Sequence, residues 1–400
     1  MTAEDTSKVT RWMLPEGIEE VLPAKADIVE QLRRRLLDYF SRCGYEQIMT
    51  PFIEYLDALL AGAGKELGDQ VFKITDSLSG QQVGIRADMT LQAARIDAHQ
   101  IKKDIPVRLC YLGTVLRTFS DGFAGSRAPL QVGAELYGHK GIESDFEILE
   151  LMLDMLAETG IKDVHIDLGH VGIFRSLASQ AGLDDQHEQQ LFEALQRKAI
   201  PEIHDILQGL KLDKVISDCL TALADLNGGI EVLDRADKVF ASAGAEVKAA
   251  LDEMKQISIL IGKYMPDLPV HYDLAELRGY AYQTGMVFAA FIPGYGQEIA
   301  RGGRYDDIGS IFGRARPATG FSADLKTLIQ LSSDLPAATR RAVFAPALDD
   351  DALRETIKDL RQQGERVIAA LPGQQATAAE MGCDRLLSKN NKGRWEIVPV

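Results

Sequence analysis

The chain has 400 residues, 46% hydrophobic and 26% charged, with a formal net charge of −15 and an isoelectric point near 5.0. That length supports one large core plus one or two smaller units, and the acidity argues against broad, sequence-independent nucleic-acid binding, which draws on clustered Lys and Arg. Cys43, Cys110, Cys219 and Cys383 form no CxxC pair, the histidines show no HxxxH or HExxH spacing, and no apolar run has the ~18 residues of a membrane span, so a globular cytoplasmic protein with reduced thiols, no metal centre and no membrane contact is expected.

Ile28, Leu32, Leu36, Tyr39 and Phe40 recur at helical spacing and predict a helix over about 25–40, stopped by Gly44. Residues 45–55 are rich in strand formers but carry Pro51, which cannot donate to a ladder, so an edge or interface strand is expected there. A hairpin over 71–86 turns at Ser77-Leu78-Ser79-Gly80 and leads through Arg86-Ala87-Asp88-Met89-Thr90 into a helix ending near His99. Strands are expected over 106–118 and 128–138 around a glycine-rich loop at 120–126. A capping box at Ser144 to Glu147 opens a helix to about Glu158, and a strand follows over 163–168. Runs of strands with few crossover helices imply a mostly antiparallel sheet flanked by helices, an α+β class.

From 171 to 264 apolar residues recur at helical spacing with nothing strand-like between them, which reads as a helical insertion packed on its own Leu and Ile stripes. Sheet character returns over 270–290 and 297–304, ending in Arg301-Gly302-Gly303-Arg304-Tyr305-Asp306. After a polar, Pro-containing linker at 332–341, the tail reads strand (342–346), helix (351–363), strand (366–371) and a last strand (395–400). The expected organisation is a core of 1–170 with 265–333, an insertion at 171–264 and a small α/β segment at 340–400.

With these elements in this order, the chain resembles histidyl-tRNA synthetase, a class II aminoacyl-tRNA synthetase, over roughly residues 8–333. Within that group it looks most like the synthetase-like regulatory subunits of ATP phosphoribosyltransferase. The resemblance implies that the 25–40 helix and the Pro51 strand are the dimer-forming first motif. It makes Arg117 the phosphate-binding arginine of the second motif, and Leu277-Arg278-Gly279-Tyr280-Ala281-Tyr282 the signature that holds the substrate.

The departures carry the functional argument. Phe119 and Ser120 stand where the synthetase has a further acidic and basic residue, and in the third-motif helix, read as Thr319 to Leu328, Lys326 and Thr327 replace its glutamate and arginine. Each charge-assisted hydrogen bond is worth ~1.5–3 kcal/mol, so losing two or three removes on the order of 3–9 kcal/mol of nucleotide and transition-state binding. The tail after Arg341 is also shorter than the synthetase's anticodon-binding domain.

The amino-acid half is kept. Asp88 falls where the synthetase pairs the substrate ammonium with a glutamate, while Gln131 and Glu135, four apart on one strand, share a face. The implied histidine-binding set is Asp88, Thr90, Arg117, Gln131, Glu135, Arg278, Tyr280 and Tyr282, with Gln283 in place of a second signature tyrosine. No catalytic residue and no cofactor are implied. The reading is a non-catalytic subunit that activates the short-form ATP phosphoribosyltransferase catalytic subunit at the first step of histidine biosynthesis. Its implied partners are that subunit, a second copy of itself through the class II core, and histidine as effector, with no nucleic acid. The competing readings, a truncated histidyl-tRNA synthetase or another histidine-activating ligase, need the third-motif arginine whose place Thr327 takes here.

Overall fold

The computed structural model describes residues 12–61, 65–120, 125–210, 212–277, 279–280, 282–335 and 341–400. The helix Pro23–Arg42 starts on a proline, whose fixed φ and missing N–H suit a first helical turn. It buries Leu32, Leu36 and Phe40, a row spaced four residues apart along one face.

Nine strands make one sheet. In spatial order they are β1 (Glu46–Gln47), β5 (Val107–Thr114), β6 (Leu130–Tyr137), β12 (Ala318–Asp324), β11 (Ala300–Arg304), β10 (Met286–Phe291), β7 (His165–His170), β9 (Val270–Asp273) and β8 (Asn227–Gly228). All neighbours are antiparallel except β1 with β5 and β7 with β9. A second, antiparallel sheet orders β2 (Ile53–Tyr55), β4 (Gln82–Ile85) and β3 (Phe72–Thr75). By contacts the chain divides into two units, Met1–Val21 with Val29–Leu335, and Leu22–Ile28 with Pro336–Val400. The second unit holds β14 (Val367–Ala369), β13 (Val343–Ala345), β15 (Arg385–Lys389) and β16 (Trp395–Pro399) in that order. Val343, Ala345, Leu353, Val367 and Leu387 form a buried cluster there.

Several expectations need correction. The strand read over 45–55 is two short pieces in different sheets, β1 and β2, separated around Pro51, whose carbonyl instead accepts from Gln92 Nε2 at 2.9 Å. No capping box opens the helix Ile142–Glu158: Gly141 is its N-cap, and Ser144 and Asp145 are turned inward to a buried arginine. Residues 318–324 of the third motif are strand, and the helix Leu325–Leu331 begins only after Asp324, whose carboxylate accepts from Lys326 N at 3.1 Å. The segment 171–264 is mostly helical, but its two-residue β8 pairs with β9 at the sheet edge. β15, absent from the sequence expectation, has an apolar core of only two leucines, too short to signal a strand. The turn that pairs it with β16 lies in Asn390 to Arg394, where Asn390 N donates to Arg394 O.

Candidate amino-acid pocket and the neighbouring cavity

β6 places Gln131 and Glu135 on one face, and both are buried. Gln131 holds the Asp88 turn at two points: its Oε1 accepts from Met89 N at 3.0 Å and its Nε2 donates to Asp88 Oδ2 at 2.6 Å. Asp88 Oδ1 accepts from Thr90 N at 2.6 Å, and Thr90 Oγ1 lies 3.2 Å from the Tyr111 hydroxyl. A carboxylate has about four acceptor sites, so Asp88 keeps capacity for a further donor from a ligand.

Glu135 sits beneath this layer. Tyr111 donates to its Oε1 at 2.8 Å and Tyr305 donates to its Oε2, while the Tyr305 hydroxyl also lies 3.2 Å from that of Tyr137. Burial pushes the Glu135 carboxyl up to about 8, with the Asp88 charge adding to the rise and the two tyrosine hydrogen bonds opposing it. The strands crowd this spot. Gly320 lies opposite Glu135 in the ladder, and a Cβ on it would come within 1.6 Å of Glu135 Oε2.

A cavity of about 560 Å³ opens beside these residues, within the ~300–1,000 Å³ range of ligand pockets. Asp88, Thr90, Arg117, Tyr280 and Tyr282 line it, with Phe288, Gly302 and Gln283. Glu135 does not: the direct ligand contact expected from the sequence is a correction, because its tyrosine partners enclose it. Gln131 reaches the cavity through Asp88 and itself borders the neighbouring one, while Arg278 lies outside the described residues. Among the described lining residues, four carboxylates (Asp88, Asp185, Glu188, Glu276) outnumber two guanidiniums (Arg117, Arg301), which favours a ligand with a cationic group.

The second cavity, about 260 Å³, lies on the other side of Arg117 and Arg301. This is where the third motif contributes, and its side chains are engaged within the protein. Asp324 accepts from Leu130 N, Lys326 N and the Thr327 hydroxyl at 2.9, 3.1 and 2.9 Å. The Lys326 ammonium turns to Ala128 O at 2.8 Å and Glu19 at 3.4 Å. Glu298, paired with Arg301 at 3.1 Å, adds a second carboxylate to the Asp324 side. A triphosphate entering here would meet the guanidiniums of Arg117 and Arg301 offset by the carboxylates of Glu298 and Asp324, and no third-motif cation.

Sequence reasoning missed two sets of residues. Tyr111 and Tyr305 hold Glu135 from positions 24 and 170 residues away, and only the sheet order brings them together. The insertion supplies Asp185, Glu188, Gln189, Phe192 and Gln196 to the larger cavity, although its stripes read as self-packing. The signal was the opposite, polar face of the Asp185–Gln196 helix.

Residues 17–328 match the family described as Histidyl-tRNA synthetase, and residues 340–398 match the ATP phosphoribosyltransferase subunit HisZ C-terminal domain. The chain is 56% identical, over 98% of its length and 99% of the relative's, to an ATP phosphoribosyltransferase regulatory subunit of Thioalkalivibrio sulfidiphilus. It is 52% identical to that of Alkalilimnicola ehrlichii, over 98% of each chain. Its fold is similar to a structure described as an ATP phosphoribosyltransferase regulatory subunit/histidyl-tRNA synthetase from Bacillus halodurans, with TM-score 0.78, 25% identity, and 92% and 95% of the two chains covered. Histidyl-tRNA synthetase from Nostoc shares the fold at TM-score 0.76 and 18% identity, over 97% of each chain. With a class II synthetase-like core, a matching C-terminal unit and identity above half along nearly its full length, the chain belongs to the ATP phosphoribosyltransferase regulatory subunit family.

Proposed function

We propose that this chain is a non-catalytic regulatory subunit that binds a short-form ATP phosphoribosyltransferase catalytic subunit, raises its turnover and makes it responsive to histidine. The observation that carries the reading is the asymmetry of the two cavities. One keeps Asp88, Thr90, Tyr280 and Tyr282 around a space that suits an amino acid with a cationic group. The other has its third-motif side chains engaged within the protein, Thr327 by Asp324 and Lys326 by Ala128 O and Glu19, so that only Arg117 and Arg301 face it with positive charge, offset by Glu298 and Asp324. A subunit that holds a ligand without transforming it acts through differential binding to two states of a partner, a coupling of typically ~1–3 kcal/mol.

Self-association fits the same picture. Met49, Phe52, Ile53 and Tyr55 flank Pro51 with large exposed apolar side chains, and β2 is an edge strand of its sheet. A second copy would cover them.

Titrating this protein into the catalytic subunit, while following phosphoribosyl-ATP formation and elution on a sizing column, tests both statements. The chain alone should run as a dimer, the mixture as a larger complex, and turnover should rise to a plateau that histidine lowers. An Asp88→Asn variant should blunt the histidine effect more than the activation. Unchanged turnover at saturating ratio, with no co-elution, sinks the assignment.

A further inference from the structure

The larger cavity has two kinds of wall. On one side stand sheet residues such as Phe288, Ala289 and Gly302; on the other stand Asp185, Glu188, Gln189, Phe192 and Gln196. The latter fall at helical spacings of three, four, seven and eleven from Asp185, so they share one face of the Asp185–Gln196 helix, flanked by its buried Leu191 and Leu195 and opposite Ala194. The buried set packs the insertion, and the polar set faces the cavity.

One residue joins this helix to the signature loop. The Tyr280 hydroxyl donates to Glu188 Oε1 at 2.6 Å, and the Phe192 ring lies 5.3 Å from the Tyr280 ring, tilted at 32°. From the preceding insertion helix, Val171–Ala181, the Phe174 ring meets Tyr280 at 5.3 Å and the Arg175 guanidinium lies 4.9 Å over it. Arg175 also donates to the carbonyls of Tyr280 and Gln283, each at 2.8 Å. Tyr280 is therefore held by two insertion helices while it also lines the cavity. A ligand seated against Tyr280 and Phe192 adds contacts that bridge the sheet and the insertion. A weaker bridge, by reciprocity, weakens the ligand.

We propose that the helical insertion is a working wall of the amino-acid pocket, with Glu188 the positioning residue that couples the Asp185–Gln196 helix to ligand occupancy through Tyr280. The inference rests on the reading that this pocket binds histidine, and it adds that occupancy is transmitted to the insertion.

The test uses the full chain, with histidine as the probe, in calorimetry and in hydrogen exchange of the 185–196 amides. Wild type should bind histidine and slow exchange across 185–196. Glu188→Ala should bind on the order of tenfold more weakly, the low end for one charge-assisted hydrogen bond, and lose the protection. Glu188→Gln, which can still accept from Tyr280, should recover part of both. Gln190→Ala, exposed on the same helix but off the cavity face, should match wild type. Histidine binding to wild type with unchanged 185–196 exchange overturns the inference and leaves the proposed function standing. So does an equal loss in Gln190→Ala, which would mean that only helix stability had changed. Failure of wild type to bind histidine at millimolar concentration removes the pocket reading, and the inference with it.

Discussion

Asp145→Ala should destabilise the chain by about 3–5 kcal/mol, because it leaves a buried arginine without its main counter-charge. Arg304 is 5% exposed and Asp145 1% exposed, and the Asp145 Oδ2 atom accepts from Arg304 Nε at 3.0 Å and Nη2 at 2.8 Å. Burial pushes the Asp145 carboxyl up, with the Arg304 charge pulling it back, as a desolvated pair requires. Arg304 also reaches Asp306 at 3.2 Å and Ser144 Oγ at 2.9 Å, so some compensation remains. Asp145→Asn, which keeps an acceptor of the same shape, should lose less than the alanine variant. Urea unfolding measures both. A loss below about 1 kcal/mol for Asp145→Ala would show that Asp306 and the nearby carbonyls alone satisfy the guanidinium. The pair matters to the site because Arg304 ends β11, the strand that carries cavity residues Arg301 and Gly302.

The second large effect is on pH dependence. The folded chain holds the Glu135 proton up to about pH 8, whereas the unfolded chain releases it near the ordinary 4.5. Between those values the folded state binds more protons, so this group's stabilisation, full below about 4.5, is lost as pH rises through about 8. At about 1.4 kcal/mol per unit the effect is at most on the order of 4–5 kcal/mol over the window. Glu135→Gln cannot titrate, although its amide can still accept from one tyrosine. Unfolding curves of wild type and Glu135→Gln from pH 5 to pH 8 should therefore converge as pH rises, with wild type losing stability faster. Parallel curves would mean that Glu135 titrates alike in the folded and unfolded chain.

What could be read from the sequence followed local periodicity. The row Leu32, Leu36 and Phe40 gave the first helix, and the alternation through Leu130 to Tyr137 put Gln131 and Glu135 on one face. Family resemblance placed Asp88, Thr90, Tyr280 and Tyr282 at one cavity, which periodicity alone could not do. What escaped depends on long-range contacts. Ser144-x-x-Glu147 has the spacing of a capping box, but Arg304, 160 residues away, takes the Ser144 and Asp145 oxygens. Glu135 reads as a ligand contact until Tyr111 from β5 and Tyr305 from just beyond β11 arrive to cover it. Pro51 signals an edge correctly, but not that the chain leaves one sheet for another there. The polar face of the 185–196 helix looks like any solvated face until the fold sets it against the signature loop.

On the proposed function, the chain holds an amino acid in the larger cavity and does not activate it. Histidine-dependent exchange of pyrophosphate into ATP, measured on the purified chain alone, tests it most directly. With Lys326 turned to Ala128 and Glu19, and Thr327 bonded to Asp324, no third-motif cation can neutralise charge on a triphosphate. Exchange should run no faster than the blank without protein. Robust histidine-dependent exchange by this chain would contradict it and make the protein a synthetase.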